Sequence, residues 1–403
     1  MSDPRLSTPP VRRVAGVSLP ELALAVGSFA IGTGEFAIMG LLPDVADDLG
    51  ISIPTAGGVI SAYAIGVVVG APLIAVLAAK MSRHVMLLIL MTVFAAGNFL
   101  SAMAESHGLL LAARFAAGLP HGAFFGMASL VAAGMVAPNQ RARAIGRVMM
   151  GLTIATLVGT PVAAFIGQLF GWRAAFALVG VIALACAVLT RLFVPRDRPQ
   201  PGASPLRELG ALANLQVWLM LGICAIGCGG MFAVFSYISP ALTESAGMSV
   251  ASVPIMLSVF GAGMILGNIV GSRLADWALL PAIGIALTFN LVAYVLFYFT
   301  MSSPWLAVIN VLLIGGGFTV VPGIQTRLMD VAGQAQTLAQ ALSHSAFNIA
   351  NALGAWLGGV AIASGYGYTS TGLAAAVLGL GGLAIYIVVL ALSMRGTQAA
   401  AAT

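Results

Sequence analysis

Twelve apolar runs, each long enough to cross a bilayer, follow one another along this chain with short polar breaks between them. They lie near residues 19–42, 56–79, 83–104, 109–136, 144–168, 172–194, 216–241, 252–273, 279–300, 304–327, 337–363 and 371–394. A bilayer span needs about 20 mostly apolar residues. Breaks such as "PDVADDLGISIP", "AESHG" and "APNQRAR" carry turn chemistry. Only 7% of residues are charged and 60% are hydrophobic, against roughly 25% charged in an ordinary soluble domain. That polarity cannot cover a water-soluble surface, so the pattern predicts an all-α, polytopic membrane protein with twelve transmembrane helices.

The cations then give direction. Fifteen of the seventeen Lys and Arg residues fall on alternate breaks or their edges; Arg173 lies on the opposite side and Arg114 within a span. The positive-inside rule predicts that both termini are cytoplasmic and that the chain sits in the cell inner membrane. Scattered cations form no basic face, so the net charge of +5 implies no nucleic-acid partner. The Pro-rich, charged stretch around 195–215 divides the chain into a bundle over 19–194 and a bundle over 216–394. Residues 1–18 and 395–403 are expected to be cytoplasmic tails. The apolar run that follows residue 18 is too long for a signal-peptide core and is read as a retained first helix. Cys186, Cys224 and Cys228 lie inside apolar runs with no completing His or acid, and read as packing residues with no metal site.

A shift of 197 residues superposes parts of the two halves. Pro43 falls on Pro240, and "SAYAIGVVVG" (61–70) on "SVFGAGMILG" (258–267). A shift of 195 sets "IATLVG" (154–159) on "IANALG" (349–354). Ordered matches at a near-constant offset indicate duplication of a six-helix unit. Six is even, so the copies share an orientation. Parallel repeats of this kind place a substrate site between them near mid-membrane.

Few side chains in the spans can do chemistry. Glu35 in "IGTGEFAIMGLLP" costs at least about 2.5–3.5 kcal/mol to insert. It is read as a proton-coupling acid or as a structural acid lining water near the outer mouth. Arg114, in the fourth helix, lies at similar depth and demands a counter-charge. The Glu35–Arg114 pairing is read as a coupling element or as a static bridge between helices 1 and 4. His121 can bond substrate, relay a proton or pack. His344, Asn348 and Asn351 share one face of the eleventh helix, to contact substrate or to hold helices together. Tyr63, Phe124, Phe232, Phe235 and Tyr237 either wall a cavity or pack. Gly151, Gly159, Pro161 and Gly167 in helix 5 read as close-approach and bending devices.

Over essentially its whole length the chain resembles the major facilitator superfamily, and most of all its drug:proton antiporter group of twelve-spanners, in the arabinose-efflux-permease-like branch. The resemblance lies in "GTGEFAIMGLLP", "ISAYAIGVVVGAPL", "RFAAGLPHGAFFG", "GLTIATLVGTP", "GWRAAF", "SYISP" and "FNIANALGA". It implies two parallel-repeat bundles, a cavity lined by helices 1 and 4, a helix-4 arginine tied to proton coupling, an antiporter motif in helix 5, and a monomer. The family's loop after helix 2 carries G-x-L-A-D-R-x-G-R-R. Here "AVLAAKMSRH" keeps Lys80 and Arg83 but has Ala79 for the acid, while the second copy keeps Arg273 and Asp276. A gate resting on the first copy alone is therefore in question.

No nucleotide loop, metal motif or nucleophile–base set occurs in the sequence, which argues against an enzyme and leaves an ion gradient as energy source, with no cofactor. The expected function is proton-coupled efflux by antiport of a small molecule (drug, sugar or nucleoside-like) through alternating access, with the small molecule, protons and the lipid bilayer as partners. Proton symport or facilitated uptake is the second reading; a membrane enzyme or a non-transporting sensor comes last.

Overall fold

The structure, a computed structural model, describes residues 13–14, 17–78, 81–137, 141–196, 214–332 and 336–401. Lys80 lies outside them, as do most of the 1–18 tail, most of the 195–215 stretch, and residues 402–403. Among the described residues twelve helices are long and apolar enough to cross a membrane. Spans 1 to 6 are Leu19–Gly40, Ile53–Ala71, Arg83–Ala102, His107–Gly134, Ala144–Phe170 and Trp172–Phe193. Spans 7 to 12 are Leu215–Phe235, Val250–Trp277, Leu279–Thr300, Pro304–Ala332, Leu342–Tyr366 and Tyr368–Ser393.

Local chemistry sets several ends. Ser18 caps span 1 in a reciprocal box with Glu21, and Pro20 opens its first turn. Ser82 and Ser106 cap spans 3 and 4. Span 4 is interrupted at Leu119–Pro120 and resumes at His121, because proline removes a donor and crowds the preceding turn. Span 5 contains a π-helical turn, Ala155–Gly159, ahead of the helix carrying Pro161. Span 7 has a similar turn at Ile223–Gly227 and stops at Phe235. The helix expected to run to 241 instead breaks there and resumes as Ile238–Pro240.

Spans 1 and 7 are the central helices. Their apolar windows are 78% and 72% buried, against 33% for span 6. Peripheral spans expose large apolar side chains such as Phe170, Phe299 and Trp305, which suits a lipid belt and no aqueous surface.

The duplication reappears as packing. A Cβ on Gly66, Gly70 or Gly118 would strike the backbone of the opposite helix where spans 2 and 4 cross. Gly263, Gly267 and Gly315, each 197 residues on, are held the same way where spans 8 and 10 cross. Gly118 meets the Tyr63 carbonyl and Gly315 meets the Phe260 carbonyl, the equivalent residue. In the central helices the offset is 196: Gly34 faces Asn98 and Val179, and Gly230 faces Tyr294 and Ala375.

The halves touch chiefly through spans 2 and 11 and spans 5 and 8. Ser61 Oγ donates to the Ala352 carbonyl at 3.3 Å, and Gly261 lies on the Thr156–Leu157 backbone. Towards the face away from the termini, the distal face, Gln168 Nε2 donates to the Val250 carbonyl at 3.0 Å. Tyr237 Oη donates to the Ala355 carbonyl at 2.8 Å, with its ring over Gly57, Gly358 and Gly359. The halves are thus closed against each other above the centre of the bundle.

Candidate functional site

Among the described residues two carboxylates are buried, Glu21 and Glu35. Glu21 lies at the termini end of span 1, where Arg147 NH1 reaches its two oxygens at 2.8 and 2.7 Å. Glu35 lies five residues before the distal end of the same helix, about 8 Å down. Arg114 lies seven residues into span 4, about 10 Å down, and is fully buried.

Shared depth does not make these two a direct pair. Glu35 Oε1 accepts from Asn351 Nδ2 of span 11 at 3.3 Å, and its Oε2 lies 4.0 Å from His121 Nδ1. Arg114 NH2 donates to the Gly34 carbonyl at 2.9 Å. Its guanidinium stands 4.3 Å from the Tyr63 ring centre and 5.1 Å from that of Phe176. No ion pair joins Glu35 to Arg114 among the described residues. The expected bridge is corrected accordingly: Arg114 is tied to the span 1 backbone at Gly34 and to the ring faces of Tyr63 in span 2 and Phe176 in span 6, which leaves the carboxylate free to reach the other half. Depth comes from residue counts, whereas direction around the helix is set by packing.

Tyr63 Oη lies 3.0 Å from His121 Nδ1, so the phenol can donate to a bare Nδ1 and leave the ring proton on Nε2. His121 meets Phe125 at 5.2 Å between ring centres, and Phe125 stacks on His344 at 5.4 Å with planes 3° apart. A ladder of rings therefore runs from span 2 through span 4 to span 11. In the sequence nothing but position separates Phe125 from its neighbour Phe124. Phe124 packs towards Gly27 and Cys186 inside the first half, the packing alternative of its two readings. The available signal was spacing: Phe125 is one helical turn, four residues, beyond His121.

The span 11 stripe faces the site. His344 carries the stack and Asn351 the Glu35 contact, while Asn348 Nδ2 donates to the His344 carbonyl at 3.0 Å. Asn348 Oδ1, Asn351 Oδ1 and Arg114 Nε and NH1 are buried without a hydrogen-bond partner. Such atoms are costly unless water or a ligand satisfies them, so the site offers both donors and acceptors to a small polar molecule. Asn98 Oδ1, also unpartnered, faces Gly34 and was not anticipated.

Phe232 and Phe235 meet Phe36 of span 1, at 6.4 and 5.9 Å between ring centres, and Phe235 stacks on Phe260 at 3.7 Å. They form the apolar floor between the central helices. Tyr237 belongs to the distal contact described above. Gly151, Gly159 and Gly167 lie along one face of span 5 against Ala25, Thr33 and Leu41 of span 1. The close neighbour they admit is the helix that carries Glu35. Arg83 opens span 3. Arg273 and Asp276 are exposed at the termini end of span 8, with no ion pair between them among the described residues.

The distal face holds a second structure the sequence did not announce. Arg173 NH1 meets Asp48 Oδ2 at 2.6 Å, its NH2 donates to the Ala104 carbonyl at 2.8 Å, and Trp172 Nε1 donates to Asp48 Oδ2 at 3.2 Å. The Arg173 hydrogen bond holds the Asp48 carboxyl below its usual range. Burial pushes that of Asp44, in the same connection, upward. Among the described residues no cluster of His, Cys, Asp and Glu could hold a metal, and the three cysteines are free and buried.

Twelve spans in two related halves, closed over one buried polar cluster, define a membrane transporter of the duplicated-bundle kind. Residues 24–337 match the model of the Major Facilitator Superfamily, and the chain belongs to that family. It is 38% identical over 375 residues to the inner membrane transport protein YdhP of Escherichia coli K12, covering 92% of this chain and 95% of that protein. It is 33% identical to the putative transporter AraJ of the same organism, covering 89% and 91%. To the chloramphenicol resistance protein of Streptomyces lividans it is 34% identical, covering 83% and 87%. Among solved structures it is similar to an inward-facing, occupied bacterial homologue of the human lysosomal transporter Spinster. The TM-score is 0.71 at 18% identity, over 91% of this chain and 95% of that one. The protein is a multi-pass membrane transporter of a small molecule, not an enzyme, and needs no cofactor.

Proposed function

We propose that the protein exports a small amphipathic molecule in exchange for protons. One observation carries this reading: the buried carboxylate of Glu35 touches span 4 of its own half and span 11 of the other. A group that titrates at such a junction changes the contact between the halves with every proton it gains or loses. Charged, Glu35 accepts from Asn351 and keeps the halves together. Protonated, it is a poorer acceptor, and the spans 1–11 contact loosens. Span 5 follows span 1 because glycines hold them close, and span 8 lies on span 5 at Gly261. A change at Glu35 is thereby conveyed to both sides of the interface.

Arg114, in this scheme, keeps the site receptive to negative charge without consuming the carboxylate in a direct bridge. Asn348, Asn351 and His344 supply polar contacts to the cargo, and Phe36, Phe232 and Phe235 supply apolar ones. The two bundles, 19–194 and 216–394, move as halves of a monomer, with both termini on the cytoplasmic side of the inner membrane. The curated relatives named for chloramphenicol resistance and, in Helicobacter pylori, for probable sugar efflux support an outward direction and a small cargo.

The test uses inverted vesicles carrying an imposed pH gradient and a panel of chloramphenicol-like drugs, sugars and nucleosides. At least one compound is expected to collapse the gradient only when the protein is present. A compound carried without any proton movement would assign facilitated transport instead.

A further inference from the structure

We infer that the second half carries a phospholipid site on its lipid-facing side, selective for an anionic headgroup. A groove of about 310 Å³ runs between spans 8, 9 and 10, and its wall is almost wholly apolar. Its floor exists because two positions are small. Gly316 stands where the first half has Leu119, and Ala286 where it has Leu90, so the second half lacks two isobutyl groups at these positions. The rim is lipid-facing: Leu266, Val270 and Ile285 are all exposed. In a bilayer the occupant of such a groove is an acyl chain.

What selects the headgroup is at the groove's termini end. Val270 and Leu274 of span 8 line the groove. On the same helix Arg273 is three residues beyond Val270, and Trp277 three beyond Leu274, so both continue that face. Trp277 is 72% exposed, at a depth where indole rings occupy the headgroup layer. Arg273 is exposed and has no hydrogen bond or ion pair among the described residues. Asp276 is a further 60° or so round the helix, on the side away from the groove. An exposed cation and an interfacial aromatic at the end of an acyl-sized apolar slot match a phospholipid whose tail lies along Gly267 and Gly316 and whose phosphate meets Arg273. At the two equivalent positions the first half carries the larger Leu119 and Leu90.

This site is remote from the transport cluster, so it stands whether or not Glu35 couples protons. The test is lipid titration of the purified full-length protein in dodecyl maltoside, read by native mass spectrometry. The ligands are phosphatidylglycerol and phosphatidylcholine of identical chains. Phosphatidylglycerol is expected to bind about fivefold more tightly, the contribution of one cation near an anionic headgroup. Arg273→Gln should make the two lipids equal, and Arg273→Lys should restore the preference. Ile285→Trp, which fills the slot from the rim, should weaken both lipids together. Equal binding of the two lipids by the unsubstituted protein, a preference that survives Arg273→Gln, or binding unaffected by Ile285→Trp would each overturn the proposal.

Discussion

The two halves share a scaffold and differ in what it holds. Gly66, Gly70 and Gly118 bring spans 2 and 4 into backbone contact, and Gly263, Gly267 and Gly315 do the same for spans 8 and 10. Onto equivalent frames the chain places opposite chemistry. Tyr63, Arg114 and His121 correspond to Phe260, Val311 and Phe318, and Glu35 to Met231. The first half gathers an acid, a guanidinium, a phenol and an imidazole around spans 1, 2 and 4. The second half is apolar at every one of those places and answers with the polar stripe of His344, Asn348 and Asn351 on span 11. The charges stand in one copy, and the span 11 stripe of the other faces them. Among the described residues the buried charged side chains, Glu21, Glu35 and Arg114, all lie in the first half, so the cost of burying charge falls on that half.

That comparison is first tested where the halves should behave alike. Gly118→Val and Gly315→Val each drive side-chain carbons into an opposing carbonyl. Both are expected to abolish folded protein in the membrane, measured by size-exclusion profile after extraction. Tolerance at one position alone would show that the crossings are not equivalent.

Next come the places where the halves should differ. Arg114→Met removes the guanidinium from the Gly34 carbonyl and the Tyr63 ring, and is expected to reduce proton-driven transport by about 100-fold or more, in line with the roughly 3–5 kcal/mol lost when a buried charged partner is deleted. Val311→Ala, at the equivalent site, should cost about 1–3 kcal/mol of packing and leave coupling intact in the vesicle assay. A smaller effect is expected at the junction. Asn351→Ala deletes one charge-assisted hydrogen bond of about 1.5–3 kcal/mol, and should loosen coupling by about tenfold while cargo is still carried. Unchanged proton-to-cargo coupling there would separate Glu35 from the movement of the second half.

The sequence announced the spans because hydropathy over twenty residues is a strong signal, and it announced the duplication because the crossing glycines have fixed spacing. It did not announce the π-helical turns at Ala155–Gly159 and Ile223–Gly227 or the stop at Phe235, since local breaks in helical register leave no mark on hydropathy. For the site, a lone polar residue in an apolar run is conspicuous, and Glu35, Arg114, His121, His344 and Asn351 were found that way. Their partners were not. Which of two residues at one depth meets a third depends on rotation about the helix axis, so depth alone pairs Glu35 with Arg114, whereas its contacts are Asn351 and His121. Phe125 and Asn98 were overlooked because an aromatic or an amide in a span is ordinary until its neighbours are known.

Purified protein in weakly buffered detergent solution, mixed with a transported compound, should release protons that a pH dye records, and Glu35→Gln should still bind the compound yet release none. Proton release from Glu35→Gln equal to that of the unsubstituted protein would contradict the account.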